Sequence, residues 1–107
     1  MPAHVPDDAL TPTDVPAADA PWSEVSEFGH RYHAYRVAGS LQRVAALTLE
    51  AHDAWEQDGT LPDSLPRLRL ALFHTVRATH GREPEPGTER WARALLAAVG
   101  TRVAGTA

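Results

Sequence analysis

The sequence predicts an all-α protein, a compact bundle of four helices behind a disordered N-terminal tail. Apolar residues recur at spacings of three and four in four separate segments, and glycine or proline separates those segments. No window alternates polar and apolar residues in the way that a half-buried strand does. The predicted helices cover about 20–38, 41–57, 65–79 and 89–99.

Residues 1–18 are predicted to form a disordered, acidic tail rich in proline and alanine. Five of the nine prolines in the chain fall within its first 21 residues. The stretch has no hydrophobic period, and Val5, Leu10 and Val15 are too few apolar side chains to bury. The remaining residues, 19–107, are predicted to fold as a single helical domain.

The first two helices are bounded by good capping residues. Asp19 is a favourable N-cap for the first helix, and Gly39 is a favourable residue to end it. Ser40 then caps the second helix, which ends at Gly59, so the two helices are expected to be neighbours. Their predicted inward residues are Trp22, Val25, Phe28 (or Gly29), Tyr32 and Tyr35 in the first helix and Leu41, Val44, Thr48, Ala51 and Trp55 in the second.

The third helix follows a loop that contains Pro62. Ser64 or Asp63 is the predicted N-cap, and Gly81 is expected to end the helix. One line of residues is predicted to face the core, with Phe73 at its edge, namely Leu65, Leu68, Leu72, Val76 and Thr79.

The fourth helix is predicted to begin after Thr88. Pro84 and Pro86 indicate that the run Arg82–Gly87 is an exposed, non-helical connection. A frayed tail is expected from Gly100 onward. The predicted inward residues are Trp91, Leu95, Ala98 and Val99.

Composition excludes several classes of protein. The chain has no cysteine, which rules out disulfide frameworks, thiolate catalysis and cysteine-ligated metal centres. No apolar run is long enough to cross a membrane or to act as a signal peptide, so a cytoplasmic protein is expected. All ten basic residues are arginine, which, with abundant alanine, is typical of a GC-rich bacterial genome.

Histidine is the one enriched reactive residue type. His30 and His33 follow Glu27 at intervals of three residues on the first helix, but a carboxylate-bridged di-iron bundle needs a Glu-x-x-His pair on two helices. His30, His33 and His52 are therefore candidate metal ligands without a complete site. His52 falls on the apolar side of its helix, so we expect a neutral core imidazole; if it were buried without a partner, protonation near pH 5–6 would oppose folding.

No catalytic or cofactor-binding residue is predicted. The four serines lie at caps or on helix faces rather than in a Gly-x-Ser-x-Gly elbow, and no glycine-rich phosphate loop is present. No pair of carboxylates has the apolar surroundings that would raise a pKa. These absences favour a protein that is not an enzyme.

Nucleic-acid binding would depend on the arginine-rich second half. The sequence pI of about 5.8 argues against this class. The connection Gly81–Gly87 is also too long and too rich in proline for a helix–turn–helix. The arginines concerned are Arg67, Arg69, Arg77, Arg82, Arg90, Arg93 and Arg102.

A surface for a protein partner is the remaining candidate. The side of the third helix opposite its core line carries Arg67, Leu70, His74 and Arg77, with Phe73 at the margin. A large apolar residue in a polar surround can seed a contact patch. The working hypothesis is a small non-catalytic interaction module, an adaptor, regulator or self-associating subunit. The alternatives are a histidine-based metal- or small-ligand-binding enzyme and a nucleic-acid binder.

Overall fold

The computed structural model describes residues 10–31 and 39–106, and no β-strand occurs among them. These residues form four α-helices: α1 (Trp22–His30), α2 (Leu41–Asp58), α3 (Leu65–Ala78) and α4 (Pro86–Thr106). The predicted fold class, an all-α bundle of four helices, is confirmed. α3 is the central helix, because it packs against each of the other three. Within the two described ranges, no helix combines the length and the hydropathy that a membrane crossing requires.

α1 occupies the first part of the helix predicted over 20–38. Pro21 precedes its first helical residue, and the fixed φ of proline suits a helix start. The predicted N-cap, Asp19, is therefore wrong by two residues. The predicted inward residues Tyr32 and Tyr35 lie outside the described residues. The buried residues of α1 are Val25, Phe28 and Gly29.

A glycine allows α1 to approach α3 closely. A Cβ atom built on Gly29 would lie 2.7 Å from Cγ2 of Val76, a fully buried side chain of α3. Contacts this short do not occur between real side chains, so the two helices can reach this separation only because residue 29 carries no side chain.

α2 begins and ends where the sequence predicts, within one residue. The Oγ of Ser40 accepts a hydrogen bond from the N–H of Arg43 at 3.1 Å, which satisfies a backbone donor that has no partner inside the helix. Gly59 ends the helix with φ of 77°, a left-handed conformation that glycine adopts without strain. Of the 18 residues of α2, only Val44 and Thr48 are buried.

α3 is covered far more completely than α2. Ser64 caps it by accepting a hydrogen bond from the N–H of Arg67 at 3.3 Å. Eight of its 14 residues are buried, a larger share than one inward stripe supplies. They are Leu68, Arg69, Leu70, Ala71, Leu72, Phe73, Thr75 and Val76.

α4 is longer than the predicted helix over 89–99 at both ends. The prediction that Arg82–Gly87 is wholly non-helical is wrong for Pro86 and Gly87, which form the first turn of α4, where proline loses no helical hydrogen bond. The predicted tail from Gly100 is also wrong. The helix continues through Gly100 because Val103, 2% exposed, belongs to the core.

Part of the predicted tail packs on the domain. Leu10 is only 8% exposed, a short 3-10 helix spans Pro12–Asp14, and Val15 packs against the core. Leu10 and Val15, which were expected to remain unburied, therefore pack on the domain, while residues 1–9 lie outside the described part of the chain. The reason is that two apolar side chains suffice when the end of α4 offers a surface for them.

The N-terminal segment is also held by an arginine of α4. Nη1 of Arg93 donates hydrogen bonds to the carbonyl oxygens of Ala18 at 2.7 Å and Ala20 at 2.8 Å. Its Nε donates to Oε2 of Glu89 at 2.8 Å, which orients the guanidinium. Charge-assisted hydrogen bonds of this kind are stronger than neutral ones. They join the segment before α1 to the middle of the bundle.

Candidate functional site

An open groove lies between α2 and α3, and the connection between these helices closes it at one end. Its volume is about 470 Å³, within the range of about 300–1,000 Å³ that is usual for binding pockets. We call it the α2–α3 groove. Its apolar lining is formed by Leu47, Ala51, Ala54, Leu61, Pro62 and Leu70.

The groove exists because α2 places small side chains opposite α3. Leu47, Ala51 and Ala54 follow each other at four and three residues, so they share one helix face. Leu70 of α3 lies on the other side and is buried in a small core cluster with Val44. Two alanines cannot fill the space between the helices, and an apolar hollow remains open to solvent.

The rim of the groove is polar. Glu50 of α2 and Asp63 of the connection lie at its edges, and Arg67 contributes from the first turns of α3. All three side chains are exposed. The rim therefore carries two carboxylates and one guanidinium around an apolar floor, an arrangement typical of a site that orients a partly apolar ligand.

Local hydrogen bonds shape the connection that closes the groove. Gly59 donates its N–H to the carbonyl of Trp55 at 2.8 Å, and the N–H of Thr60 bonds to Oδ1 of Asp58 at 3.0 Å. Hydrogen bonds from Thr60 hold the pKa of the Asp58 carboxyl below its ordinary value. The turn thus keeps a negative charge beside the groove and directs Leu61 and Pro62 towards it.

The predicted partner surface on α3 is wrong in its central feature. Leu70 was expected to be exposed, with Phe73 at the margin of the surface, yet each is only 3% exposed because α2 covers that side of α3. Arg67 and Arg77 are exposed and His74 is half-buried. Of the five predicted residues, the structure brings only Arg67 and Leu70 to the groove.

The candidate histidine ligands do not converge. The Nδ1 of His30 lies 2.8 Å from the carbonyl oxygen of Ser26 in its own helix. His52 belongs to α2, and His33 lies outside the described residues. Residues 10–31 and 39–106 contain no group of three histidine, aspartate or glutamate side chains placed to hold a metal ion.

His52 is not the buried core imidazole that the sequence predicts. Its side chain is 31% exposed, and Nδ1 lies 3.9 Å from Oε1 of Glu56. Its ring packs edge-on against Trp91, with 5.0 Å between centroids, and beside Trp55 at 5.9 Å. The condition for the predicted acid sensitivity, burial without a partner, is therefore not met at His52.

Two arginines of the candidate nucleic-acid surface serve the fold instead. Arg69 is 5% exposed, and burial lowers the pKa of its guanidinium to about 10. Arg93 bonds to the N-terminal segment, as described above. Because Arg69 is buried and Arg93 bonds to the N-terminal segment, the surface offers fewer cations to the phosphates of a nucleic acid than the number of arginines in the sequence suggests.

The sequence prediction missed most of the groove. Ala51 was assigned to the inward stripe of the second helix, while Leu47, Ala54, Leu61 and Pro62 received no role. The available signal is two alanines three residues apart on one helix face, followed by a turn rich in small and apolar residues. Two small side chains on one face leave a gap only where another helix packs opposite them, so this signal could be used only once α3 was known to be the neighbour of α2.

Comparison with known protein families, curated proteins and solved structures gives no match.

Proposed function

We propose that this protein is a non-catalytic helical interaction module that binds a protein partner in the α2–α3 groove. The observation that supports this proposal is the apolar hollow of about 470 Å³, open to solvent and floored by Leu70. Interfaces obtain most of their binding free energy from a few large side chains that fill such hollows.

The chemistry of the lining favours a protein ligand over a reaction. Among the described residues of its lining there is no histidine and no serine, and the two carboxylates, Glu50 and Asp63, are exposed rather than held in an apolar setting, so this lining lacks a nucleophile beside a base and a carboxyl group tuned for proton transfer. What it offers is apolar area with a polar rim, which suits an anchoring side chain and its flanking backbone.

The location that we propose for this module is the cytoplasm. The chain has no cysteine, so its fold needs no disulfide bond and is compatible with the reducing environment of the cytoplasm. The proposal that it acts in a bacterial cell depends, in the same way, on its arginine-only basic residues and its abundant alanine.

Selection of random peptides displayed on phage, against the full chain, tests the proposed site. Ala54→Trp fills the groove with an indole and should abolish the binding of the selected peptides. Ala97→Trp is the matched control, because Ala97 is an exposed residue of α4 outside the groove. Selected peptides that bind Ala54→Trp as well as they bind the unaltered protein would show that the groove is not the site.

A further inference from the structure

The groove lies in the most uniformly acidic part of the described chain. Between Val44 and Pro66 there are five carboxylates and neither arginine nor lysine. All five are exposed, and none of them lies within ion-pair distance of an arginine among the described residues. The five are Glu50, Asp53, Glu56, Asp58 and Asp63. Their negative charge is therefore available to a partner.

Two of these carboxylates flank the apolar hollow. Glu50 lines it on the α2 side, and Asp63 lines it on the side of the connection. At about 100° per residue, Asp53 falls on the same exposed flank of α2 as Glu50. Among the described residues of the lining, Arg67 is the single cation, so this part of the rim carries a net negative charge and α2 extends that charge along its length.

We infer that the α2–α3 groove receives a cationic amphipathic helix from a partner protein, with one large apolar side chain in the hollow and Lys or Arg beside Glu50 and Asp53. This inference rests on the proposed function. Helix-in-groove recognition uses apolar anchors at helical spacing. Opposite charges on the two surfaces accelerate association and reject acidic competitors.

Charge also argues against the N-terminal segment of this chain as the occupant. The segment before Leu10 contains Asp7 and Asp8 and no arginine or lysine. Placed in the groove, it would bring like charges beside Glu50 and Asp63, which is unfavourable. A second copy of this chain is the remaining competitor, since Arg90 and Arg102 are exposed on α4, and the experiment below separates it from a foreign helix.

Three synthetic peptides of about 18 residues, long enough to form a helix on binding, test the inference by fluorescence anisotropy with the full chain. The first carries leucine at i, i+3, i+4 and i+7 with lysine elsewhere. The second replaces every lysine with glutamate, and the third replaces every leucine with alanine. We expect the Leu/Lys peptide to bind at least about tenfold more tightly than either of the others, a difference of about 1.4 kcal/mol.

Reversing the charge of two carboxylates on α2 tests whether these residues face the lysines of the bound peptide. The double variant Glu50→Lys with Asp53→Lys should lose the preference for the Leu/Lys peptide and gain one for the Leu/Glu peptide. Glu83→Lys with Glu85→Lys is the matched control, because it changes the net charge equally in the connection at the opposite end of α3. The control should keep the original preference.

The outcomes separate this inference from the proposed function. Equal binding of the Leu/Lys and Leu/Glu peptides, both abolished by Ala54→Trp, would overturn the cationic partner and leave the groove as the site. The inference would also be overturned if the Leu/Lys peptide still bound the Ala54→Trp variant. The same conclusion would follow if none of the peptides bound the unaltered protein. A dimer in light scattering that Ala54→Trp dissociates would identify a second copy as the occupant and refute the foreign helix.

Discussion

α3 and α2 are adjacent helices of similar amphipathic pattern, yet the fold uses them differently. α3 buries eight of its 14 residues and contacts every other helix, whereas α2 buries two of 18. Leu72 at the centre of α3 is almost wholly removed from water, while Leu47 of α2 remains half-exposed at the groove.

The difference places the residues that stabilise the fold mainly on α3, apart from most of the residues that line the proposed binding groove. Burial of apolar area is the main favourable contribution to folding, and most of it lies on α3 and the helices around it. α2 is attached through Val44 and through Ala51 and Trp55, which pack against the core, whereas Leu47 and Ala54 line the groove, where the proposed partner would bind. A binding surface of this kind can change without unfolding the core.

The largest difference in stability is expected between two separate variants, in which Leu72 of α3 or Leu47 of α2 is replaced by alanine. Leu72→Ala removes a fully buried side chain, which costs about 2–5 kcal/mol in the free energy of unfolding. Leu47→Ala removes a half-exposed one and should cost roughly 1 kcal/mol or less. Urea denaturation of both variants measures this difference. Equal losses would mean that α2 is buried as deeply as α3 and that the groove is closed in solution.

A smaller loss of stability is expected when the close contact between α1 and α3 is altered. Gly29→Ala places a methyl group against the fully buried Val76, and overpacking of this kind costs about 1–3 kcal/mol, partly offset by about 1 kcal/mol from the better helix propensity of alanine. The variant should therefore unfold at a lower denaturant concentration. In a Val76→Ala background, the same change should become neutral or stabilising, and a double-mutant cycle tests this coupling.

The smallest expected effect is a pH dependence of the free energy of unfolding, which arises from His74 of α3. Burial, followed by the positive charge of Arg77, lowers the pKa of His74. The unfolded chain then takes up the proton first, so the free energy of unfolding falls as the pH drops from about 6.5 to the lower pKa of the folded protein. His74→Gln should flatten this slope in denaturation series, whereas His52→Gln, on the exposed helix, should retain it. A slope that persists in His74→Gln would exclude this residue as its cause.

Features set by neighbouring residues were predictable from the sequence. Ser40 and Gly59 define the ends of α2 through a cap hydrogen bond and a positive φ, and both depend only on local chemistry. The same holds for Ser64 at the start of α3. Most of the inward lines of α3 and α4, including Leu72 and Leu95, was also predicted correctly, because one apolar stripe at helical spacing must face the core. Leu65, Thr79 and Ala98 are only partly buried.

Features that depend on three-dimensional neighbours were not predictable. A helical wheel assigns Leu70 to the polar side of α3, but it cannot show that α2 covers that side. The same limit applies to Leu10, whose burial depends on the end of α4, and to Ala54, which becomes part of a groove only opposite α3. The extension of α4 past Gly100 was missed because one valine, Val103, decides it.

The packing of Val15 and of the short 3-10 helix Pro12–Asp14 on α4 brings the start of the described chain close to the C-terminal half of that helix. Val15 lies beside Gly100, where a Cβ atom would be 3.7 Å from its Cγ1, and Leu10 shares a core with Val103. A short linker can therefore join the two ends of the described chain into a circular permutant, reopened at the exposed residues Glu83 and Glu85. In that rearranged molecule both new termini would lie beyond the end of α3 that is opposite the α2–α3 groove, so a fusion partner would be carried away from the groove.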